Sequence, residues 1–524
     1  LITNETQFVS TENTNPATHA IGLSQAYRDE MRPGAVDRLQ QPIFSIVTND
    51  RSTIAFNVEE SDNDGNIQLH VYLPDVYSYC ANDVNIEMNG RLFGINLGHS
   101  TLPIVDSKLS SLCSLDAGQE KNAICVQWKV NKQTYDVSDC DILFARIKPR
   151  VSLQMREVQD MLEGTPLCLQ SEQYAPFQAM IHSMRQVVRS FFPLTRSMNH
   201  FRFVFSSFTG IPFDIVSCRD AQEMVRMYEM ASSRMMLSFL SGKLAKRKYF
   251  GISAELSSEM TTNIEQLSYQ LKPLCATYPA LPIHQRLLSQ ISGMADGAMK
   301  RCAEYRTLQI LSQVQWKFSH MTTPPSIEIE FTHPTLSFPH LHAHQLLVSY
   351  CSSEPEREWS SERGLDIESK VDELNSSMRE KLRIEQQAYY HNLSSYLLHH
   401  SNIERRTVEA VVLDGQLSPM MELALFIPQY GTEMKWSLTR MNPCPSLIEI
   451  DDSTRITTLR YNAEYDSSES EDSEGEDMLE RKDIVVELKP FSVITVELTV
   501  DMRHYPEELF VRRILIDDIE DDFT

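Results

Sequence analysis

The spacing of apolar residues changes twice along this 524-residue chain, and that change limits the architectures open to it. From 42 to 150 the apolar residues come in short runs. These are IFSIVT at 43–48, IQLHVYL at 67–73, AICVQWKV at 123–130 and ILFARI at 142–147, separated by turn formers such as SDNDGN at 61–66. Such runs predict strands. From about 154 to 400 the period becomes largely helical. The clearest helix opens at Asp220, where Asp220 and Glu223 make a capping signal before MVRMYEMASSRMMLSFL. Its methionine stripe reads as packing rather than as a cofactor box. After 401 strand-like runs return: RRTVEAVVL at 405–413, MELALFI at 421–427, TEMKWSL at 432–438, IVVEL at 484–488 and SVITVELTV at 492–500. Five short strands suit a small OB-type barrel.

These shifts divide the chain. Residues 1–38 are expected to be a polar tail or linker, 39–400 a mixed α/β domain of the α+β class, 401–502 an all-β barrel, and 503–524 an acidic tail. One connection, about 444–483, is too long for a compact barrel and reads as an insert. It carries DSSESEDSEGED at 466–477, with nine acidic and no basic residues between 464 and 480. The chain closes on DDIEDD at 517–522. The net charge of −24 argues against a protein whose whole surface grips nucleic acid, and leaves room for a local basic groove. No run approaches 18 apolar residues, so no membrane span is expected, and the first residues lack the pattern of a signal peptide. The ten cysteines are scattered without a C-x-x-C pair and read as buried reduced thiols.

Four blocks between about 40 and 400 resemble the RNase II family, the RNB-domain exoribonucleases. VYLPDV at 71–76 is similar to the family's V-H-I-A-D-V. LPIVDSKLSSLCSLDAG at 102–118 is similar to L-P-x-x-L-x-x-x-L-C-S-L-x-P-G. VSLQMREVQDMLEG at 151–164 is similar to R-L-T-Y-E-E-V-Q-x-M-L-x-G, and FTHPTLSFPHLHAHQLL at 331–347 to F-T-S-P-I-R-R-Y-x-D-L-x-x-H-R-Q-L. They occur in family order. The resemblance implies an RNB catalytic-type domain followed by an S1-type OB-fold, which the barrel after 401 fits. LFIPQYGTEMKWSL at 425–438 resembles the eukaryotic exosome-nuclease and Dis3-like branch. Residues 1–38 are too short for the cold-shock OB-folds that usually precede the catalytic domain.

Active family members hydrolyse RNA from the 3′ end, with two hard cations stabilising the attacking and leaving oxygens. The cations are held by D-P-x-x-A-x-D-[FIL]-D-D. Aligned without gaps from Asp50, the later three aspartates become Phe56, Val58 and Glu59. Aligned instead on Ala55 to Glu60, the final pair becomes Thr53 and Ile54. Neither rebuilds a cage for magnesium, which needs several hard oxygen ligands close together. The family's arginine pair, which stabilises developing phosphate charge, falls on Leu336 and Ser337, its following tyrosine on Phe338, and the tyrosine of T-Y-E-E on Met155. The expectation is a catalytically degenerate protein: a pseudonuclease that binds RNA or scaffolds an RNA-decay or mRNA-control complex. It would use no cofactor, and Mg²⁺ only if a rival holds, that of an active 3′-to-5′ exoribonuclease with relocated ligands Asp50, Asp75, Glu59 and Glu60. A second rival is a purely structural protein-interaction module.

The expected partners are single-stranded RNA and proteins of an RNA-processing complex, with no DNA and no membrane. The expected location is cytoplasmic, with nuclear as the alternative. Lys246 and Arg247 at a helix end, and Arg405, Arg406, Lys435, Trp436 and Arg440 in the barrel, are the candidate RNA contacts. OB-folds hold single strands by stacking and phosphate contacts, although Trp436 fits a barrel core equally well. The cluster His333, His340, His342 and His344 reads as structural rather than as a zinc site, since no carboxylate or cysteine lies nearby in sequence.

Overall fold

The computed structural model describes residues 34–48, 50–60, 65–79, 90–134, 137–164, 174–191, 201–244, 250–255, 257–272, 283–311, 315–320, 331–351, 361–400, 406–438, 445–451, 455–463, 482–501 and 508–515. The strand-rich first part forms β1 (Val36–Arg38), β2 (Phe44–Val47), β3 (Ser52–Glu60), β4 (Asn66–Pro74), β5 (Ile95–Asn96), β6 (Thr101–Leu102), β7 (Lys121–Asn131), β8 (Val137–Ile147) and β9 (Val151–Gln154). Seven of these make one sheet in the order β1-β8-β7-β4-β3-β2-β9, parallel only at β1–β8 and β2–β9. Strand alternation gives the sheet two different faces.

One face is apolar and carries Phe44, Ile46, Ile54, Phe56, Val58, Leu69, Val71 and Trp128. It packs on helices α2 (Met155–Glu163), α3 (Ala175–Phe191) and α4 (Arg219–Leu244), which follow the short α1 (Ser107–Cys113). The methionine stripe of α4 is core, as its period predicts: Met224, Met227 and Met236 are buried. Phe56 sits between Phe44 and Tyr228, with ring centroids 5.7 and 5.5 Å away.

The opposite face mixes small apolar residues with a polar row. Here β1 lies alongside, so the stretch expected to be a tail up to 38 contributes a strand. Arg38 explains why. Its guanidinium donates to Gln127 Oε1 at 3.0 Å and Gln41 Oε1 at 3.2 Å, and lies 3.1 Å from His70 Nε2. An arginine only donates, so His70 accepts and its ring is neutral. Burial, then the Arg38 charge, lowers the His70 pKa from 6.5 to about 4.

Further on come the hairpin β10 (Phe201–Phe205) with β11 (Pro212–Ser217), and β12 (Phe250–Glu255) paired with β13 (Gln315–His320). Helices α5 (Ser258–Leu271), α6 (Ile283–Ser292) and α7 (Ala298–Leu311) share a core that includes Val411, Leu413, Phe426 and Phe491 of the C-terminal region. Then α8 (Phe338–Cys351) leads to the 39-residue α9 (Ser361–His399). Leu393, Tyr396 and Leu397 of α9 enter the C-terminal core, and Tyr389 and Tyr390 donate to the carbonyls of Tyr430 and Glu433.

The C-terminal part contains β14 (Thr407–Val412), β15 (Glu422–Ile427), β16 (Thr432–Ser437), β17 (Leu447–Asp451), β18 (Ile456–Ala463), β19 (Lys482–Leu488), β20 (Val493–Asp501) and β21 (Glu508–Leu515). Five of them form an antiparallel sheet, β16-β15-β14-β20-β21, whose outermost strands come within 8 Å of each other, so it is nearly closed. The other three form the sheet β17-β18-β19. Two expectations need correction. The connection at about 444–483 contains β17 and β18, and the supposed tail 503–524 contains β21. In both, an acidic stretch nearby obscures a strand whose apolar residues are real: Leu459, Tyr461 and Val511 are buried in the core.

Among the described residues, Cys113, Cys125, Cys218 and Cys302 are buried free thiols and Cys140 is half-buried. No helix there is long and apolar enough to cross a membrane.

Candidate functional site

Asp50 lies in the turn between β2 and β3, which is closed by Thr48 N–H donating to Arg51 O at 3.2 Å. The turn is held from outside as well. Ser52 N–H donates to Ser114 Oγ, Leu115 N–H donates to Ser52 O, and the Arg51 guanidinium reaches Ser111 Oγ at 2.9 Å. A second segment arrives from far along the chain. Gly94 N–H donates to Leu336 O at 2.7 Å, Ile104 N–H to Thr335 O at 2.9 Å, and Phe338 N–H to Leu92 O at 2.9 Å. These bonds bring the turn at 332–337 against the 92–104 segment.

Between the two lies a small cleft of about 250 Å³, counting space open to solvent. Its lining is Asp50, Arg51, Thr53, Thr101, Pro103, Ser110, Thr335 and Leu336. The fold therefore joins Asp50 to Leu336, two of the positions marked in the sequence. The Asp50 carboxylate accepts from Thr101 N–H at 3.4 Å and lies 4.0 Å from the Arg51 guanidinium. Thr53 and Thr48 share a hydroxyl hydrogen bond of 2.8 Å. The buried hydroxyls of Thr101 and Ser110 have no hydrogen-bond partner.

The other marked positions lie elsewhere. Phe56 and Val58 face the helices in the apolar core, and Ile54 is equally buried. Glu59 is near the far end of β3, where Asn57 donates to it at 3.0 Å. At about 3.3 Å of rise per residue, it is more than about 20 Å from Asp50. Asp75 is buried at the end of β4, where its carboxylate caps the following turn by accepting from Ser78 N–H at 3.3 Å. Ser337 is buried, and its backbone bridges to Phe93. Met155 starts α2 and is core.

A magnesium pair does not fit this cleft. It offers one carboxylate, already turned to a backbone N–H and beside a guanidinium, while the remaining donors are hydroxyls. Among the described residues, no group of three or more histidines, cysteines, aspartates or glutamates is arranged to hold a metal ion.

The histidine cluster is built into the fold. His340 Nδ1 accepts from His333 N–H at 3.0 Å, His344 Nε2 lies 2.8 Å from Phe331 O, and His333 Nε2 lies 2.9 Å from the buried Glu229.

In the barrel, Trp436 is wholly buried in the core, so its indole cannot stack on a base; that candidate contact is corrected. The strand period puts Trp436 inward and Lys435 outward. Lys435 is exposed and pairs with Glu422 at 3.5 Å. Arg455, Arg460, Lys489 and Arg512 pair with Asp414, Glu449, Glu487 and Glu497. Arg406 donates to Leu397 O at 3.3 Å. Lys246, Arg247, Arg405 and Arg440 lie outside the described residues, as does the acidic run 464–480.

Sequence reasoning missed Arg51, Thr101 and Ser110 as cleft residues. Thr101 and Ser110 flank or belong to the LPIVDSKLSSLCSL block, and Asp106 in that block caps α1 by accepting from Lys108 N–H at 2.8 Å.

Comparison with known proteins identifies the arrangement. The RNB domain profile matches residues 37–348. The structure is similar to RNase R of Mycoplasma genitalium in complex with ribose-methylated single-stranded RNA, with a TM-score of 0.68 and 12% identity, over 95% of this chain and 75% of that one. Yeast Ssd1, described as a pseudonuclease, gives a TM-score of 0.66 and 12% identity over 94% of this chain and 70% of its own. An active-site mutant of the Dss1 exoribonuclease of Candida glabrata gives 0.53 and 13% over 82% and 54%. At such identities the likeness is one of fold.

Proposed function

The chain belongs to the RNB-domain family, and we propose that it is a non-hydrolytic member, a pseudonuclease that binds single-stranded RNA or scaffolds proteins in RNA decay or mRNA control. The observation that carries this is the cleft where Asp50 meets Leu336. In-line hydrolysis needs cations on the attacking and leaving oxygens and a positive group on the phosphate. Of the positions on which the two alignments put the lost aspartates of the later set, Thr53 lines the cleft, while Ile54, Phe56 and Val58 are turned into the core. Thr53 offers at most a neutral hydroxyl and Leu336 nothing polar, which leaves the single carboxylate of Asp50, already beside the Arg51 guanidinium, to hold a pair of cations. Losing one donor to a transition-state oxyanion typically costs about 10²–10³ in rate. Losing the metal ligands as well should leave only background.

In this reading the nearly closed sheet after 401 is an S1-type OB-fold, the branch is the eukaryotic Dis3-like one, no metal cofactor is used, and the protein works in the cytoplasm. RNase R, the related fold, is seen with single- and double-stranded RNA, which supports an RNA partner. The test is incubation of the purified protein with 3′-labelled single-stranded RNA and Mg²⁺ or Mn²⁺, alongside anisotropy with the same RNA. Binding without trimming is expected. Processive trimming above a mock preparation overturns the reading.

One observation favours a second reading, the protein-interaction module. Five cations of the C-terminal part, Lys435, Arg455, Arg460, Lys489 and Arg512, are each paired with a carboxylate. Absence of RNA binding together with absence of trimming selects it.

A further inference from the structure

The sheet β17-β18-β19 ends in an open edge. Among the described residues, no strand pairs with the outer side of β17. Cross-strand rows show how the edge is built. On the inner face, Leu488, Thr457 and Ile450 form one row. Leu488 and Thr457 are fully buried, but Ile450 is 45% exposed. In the adjoining row of Val486, Leu459 and Ile448, only Leu459 is fully buried. The apolar layer thus continues to β17 and is left half covered there. On the outer face, Val485, Arg460 and Leu447 form a row, and Leu447 is 46% exposed. Next to it, Glu487, Thr458 and Glu449 form another.

Proteins protect an edge strand with charged side chains, prolines, bulges or inward-pointing charges. In Leu447-Ile448-Glu449-Ile450-Asp451 the two charges lie on the outer face and the proline, Pro445, lies before the strand. The half-covered apolar face carries no charge, and the strand pairs with β18 without a bulge along its whole length.

We propose that this edge receives an extended segment of a partner protein by strand addition, a segment in which apolar residues alternate with lysine or arginine. Side chains alternate across a strand, so the added segment lays its apolar residues over Ile448 and Ile450. It sets its cations beside Glu449 and Asp451 on the other face. Charge complementarity points to a basic occupant. β17 carries two carboxylates and no cation. The Glu449–Arg460 pair is exposed, and exposed pairs of this kind exchange partners readily. A second copy of this chain is a poorer occupant. Antiparallel pairing of two β17 strands about their centre sets Glu449 against Glu449, which is destabilising. An RNA strand meets carboxylates rather than cations at this edge. The edge does not depend on whether the cleft hydrolyses RNA.

The test uses the full chain and a fluorescein-labelled nonapeptide of alternating valine and lysine, followed by anisotropy at moderate salt. The control peptide keeps the charge but replaces two valines with proline, which cannot donate to a ladder. The expected result is saturable binding of the alternating peptide and at least tenfold weaker binding of the proline peptide. At least tenfold weakening is also expected in the Glu449→Lys, Asp451→Lys double variant and in Ile450→Asp, with unchanged thermal unfolding. Absence of binding overturns the proposal. Equal binding of the two peptides overturns it too, since that means attraction to acidic charge alone. A concentration-dependent dimer of the peptide-free protein, lost in Glu449→Lys, overturns it in favour of self-pairing. If a variant does not fold, the comparison of the two peptides on the unmodified chain decides.

Discussion

The cleft at the Asp50 turn and the network on the back face of the same sheet are both made from polar side chains, and they use them differently. On the back face Arg38, Gln41, Asn57, His70, Tyr72 and Gln127 lie within one web of hydrogen bonds. It ties Arg38 of β1 to the sheet, and burial, then the Arg38 charge, lowers the His70 pKa to about 4. The cleft has one carboxylate, one guanidinium, several hydroxyls and a leucine, and the hydroxyls of Thr101 and Ser110 have no partner. Orphaned polar atoms do not separate the two, because Arg38 Nε, Asn57 Oδ1 and His70 Nδ1 of the web also lack partners. The difference is a connected web on the back face against separate short-range contacts in the cleft. A strongly perturbed pKa is often a mark of a functional site. In this molecule the strongly shifted histidine marks a structural contact instead.

The largest effect should come from the core that supports both regions. Phe56→Ala should destabilise by about 3–5 kcal/mol in urea unfolding, because it removes a ring wedged between Phe44 and Tyr228. Asp50→Asn should change stability by about 0.5 kcal/mol or less, since the side chain is partly exposed. An equal cost for the two variants would make the cleft part of the framework and break the contrast.

The next effect is pH dependence of the back face. The folded His70 pKa of about 4 lies below the ordinary 6.5, so the unfolded chain takes up the proton first as pH falls. The contribution of His70 is therefore fully present above about 6.5 and is lost as pH falls through 6.5 toward 4. Full linkage is about 3 kcal/mol. Unfolding free energies measured between pH 7.5 and 4.5 should fall more steeply in the unmodified protein than in His70→Gln. Identical slopes would show that burial and the Arg38 charge do not depress the His70 pKa.

Smaller still is the effect of restoring cations to the cleft. Leu336→Arg with Ser337→Arg should leave RNA untrimmed in the presence of Mn²⁺, because metal ligands and transition-state cations act together. Trimming by that variant would mean that the cleft retains a metal site. The smallest change is expected for Lys435→Ala, about 0.5 kcal/mol of stability or less, as for other exposed pairs. A larger loss would show that the barrel surface, like the back face, is a coupled network.

The strands of the first part and the helix at Asp220 were legible because periodicity and turn chemistry are local. The methionines of α4 were read as packing for the same reason. What misled was charge. The acidic run between 464 and 480 and the closing DDIEDD hid β18 and β21, whose short apolar alternation is easily read as part of an insert or a tail. Trp436 stayed ambiguous because an aromatic between cations fits a stacking surface and a barrel interior equally well. Only the register of β15 with β16, Leu423 opposite Trp436 and Ala424 opposite Lys435, separates the two.

By itself the sequence determined the strand-rich first part, the helix at Asp220 and the four family-like blocks, and it led to the expectation that the aspartate quartet and the arginine pair are lost. Each of these is carried by neighbouring residues. The tertiary structure decided that Asp50 and Leu336 share one cleft, that Thr53 rather than Phe56 or Val58 faces it, and that Arg38 anchors β1 over His70. Those facts depend on which face of β3 meets the helices and on backbone hydrogen bonds from 92–104 to 332–337. Contacts between residues so distant in sequence leave no local period to read, because they are selected by the packing of whole elements.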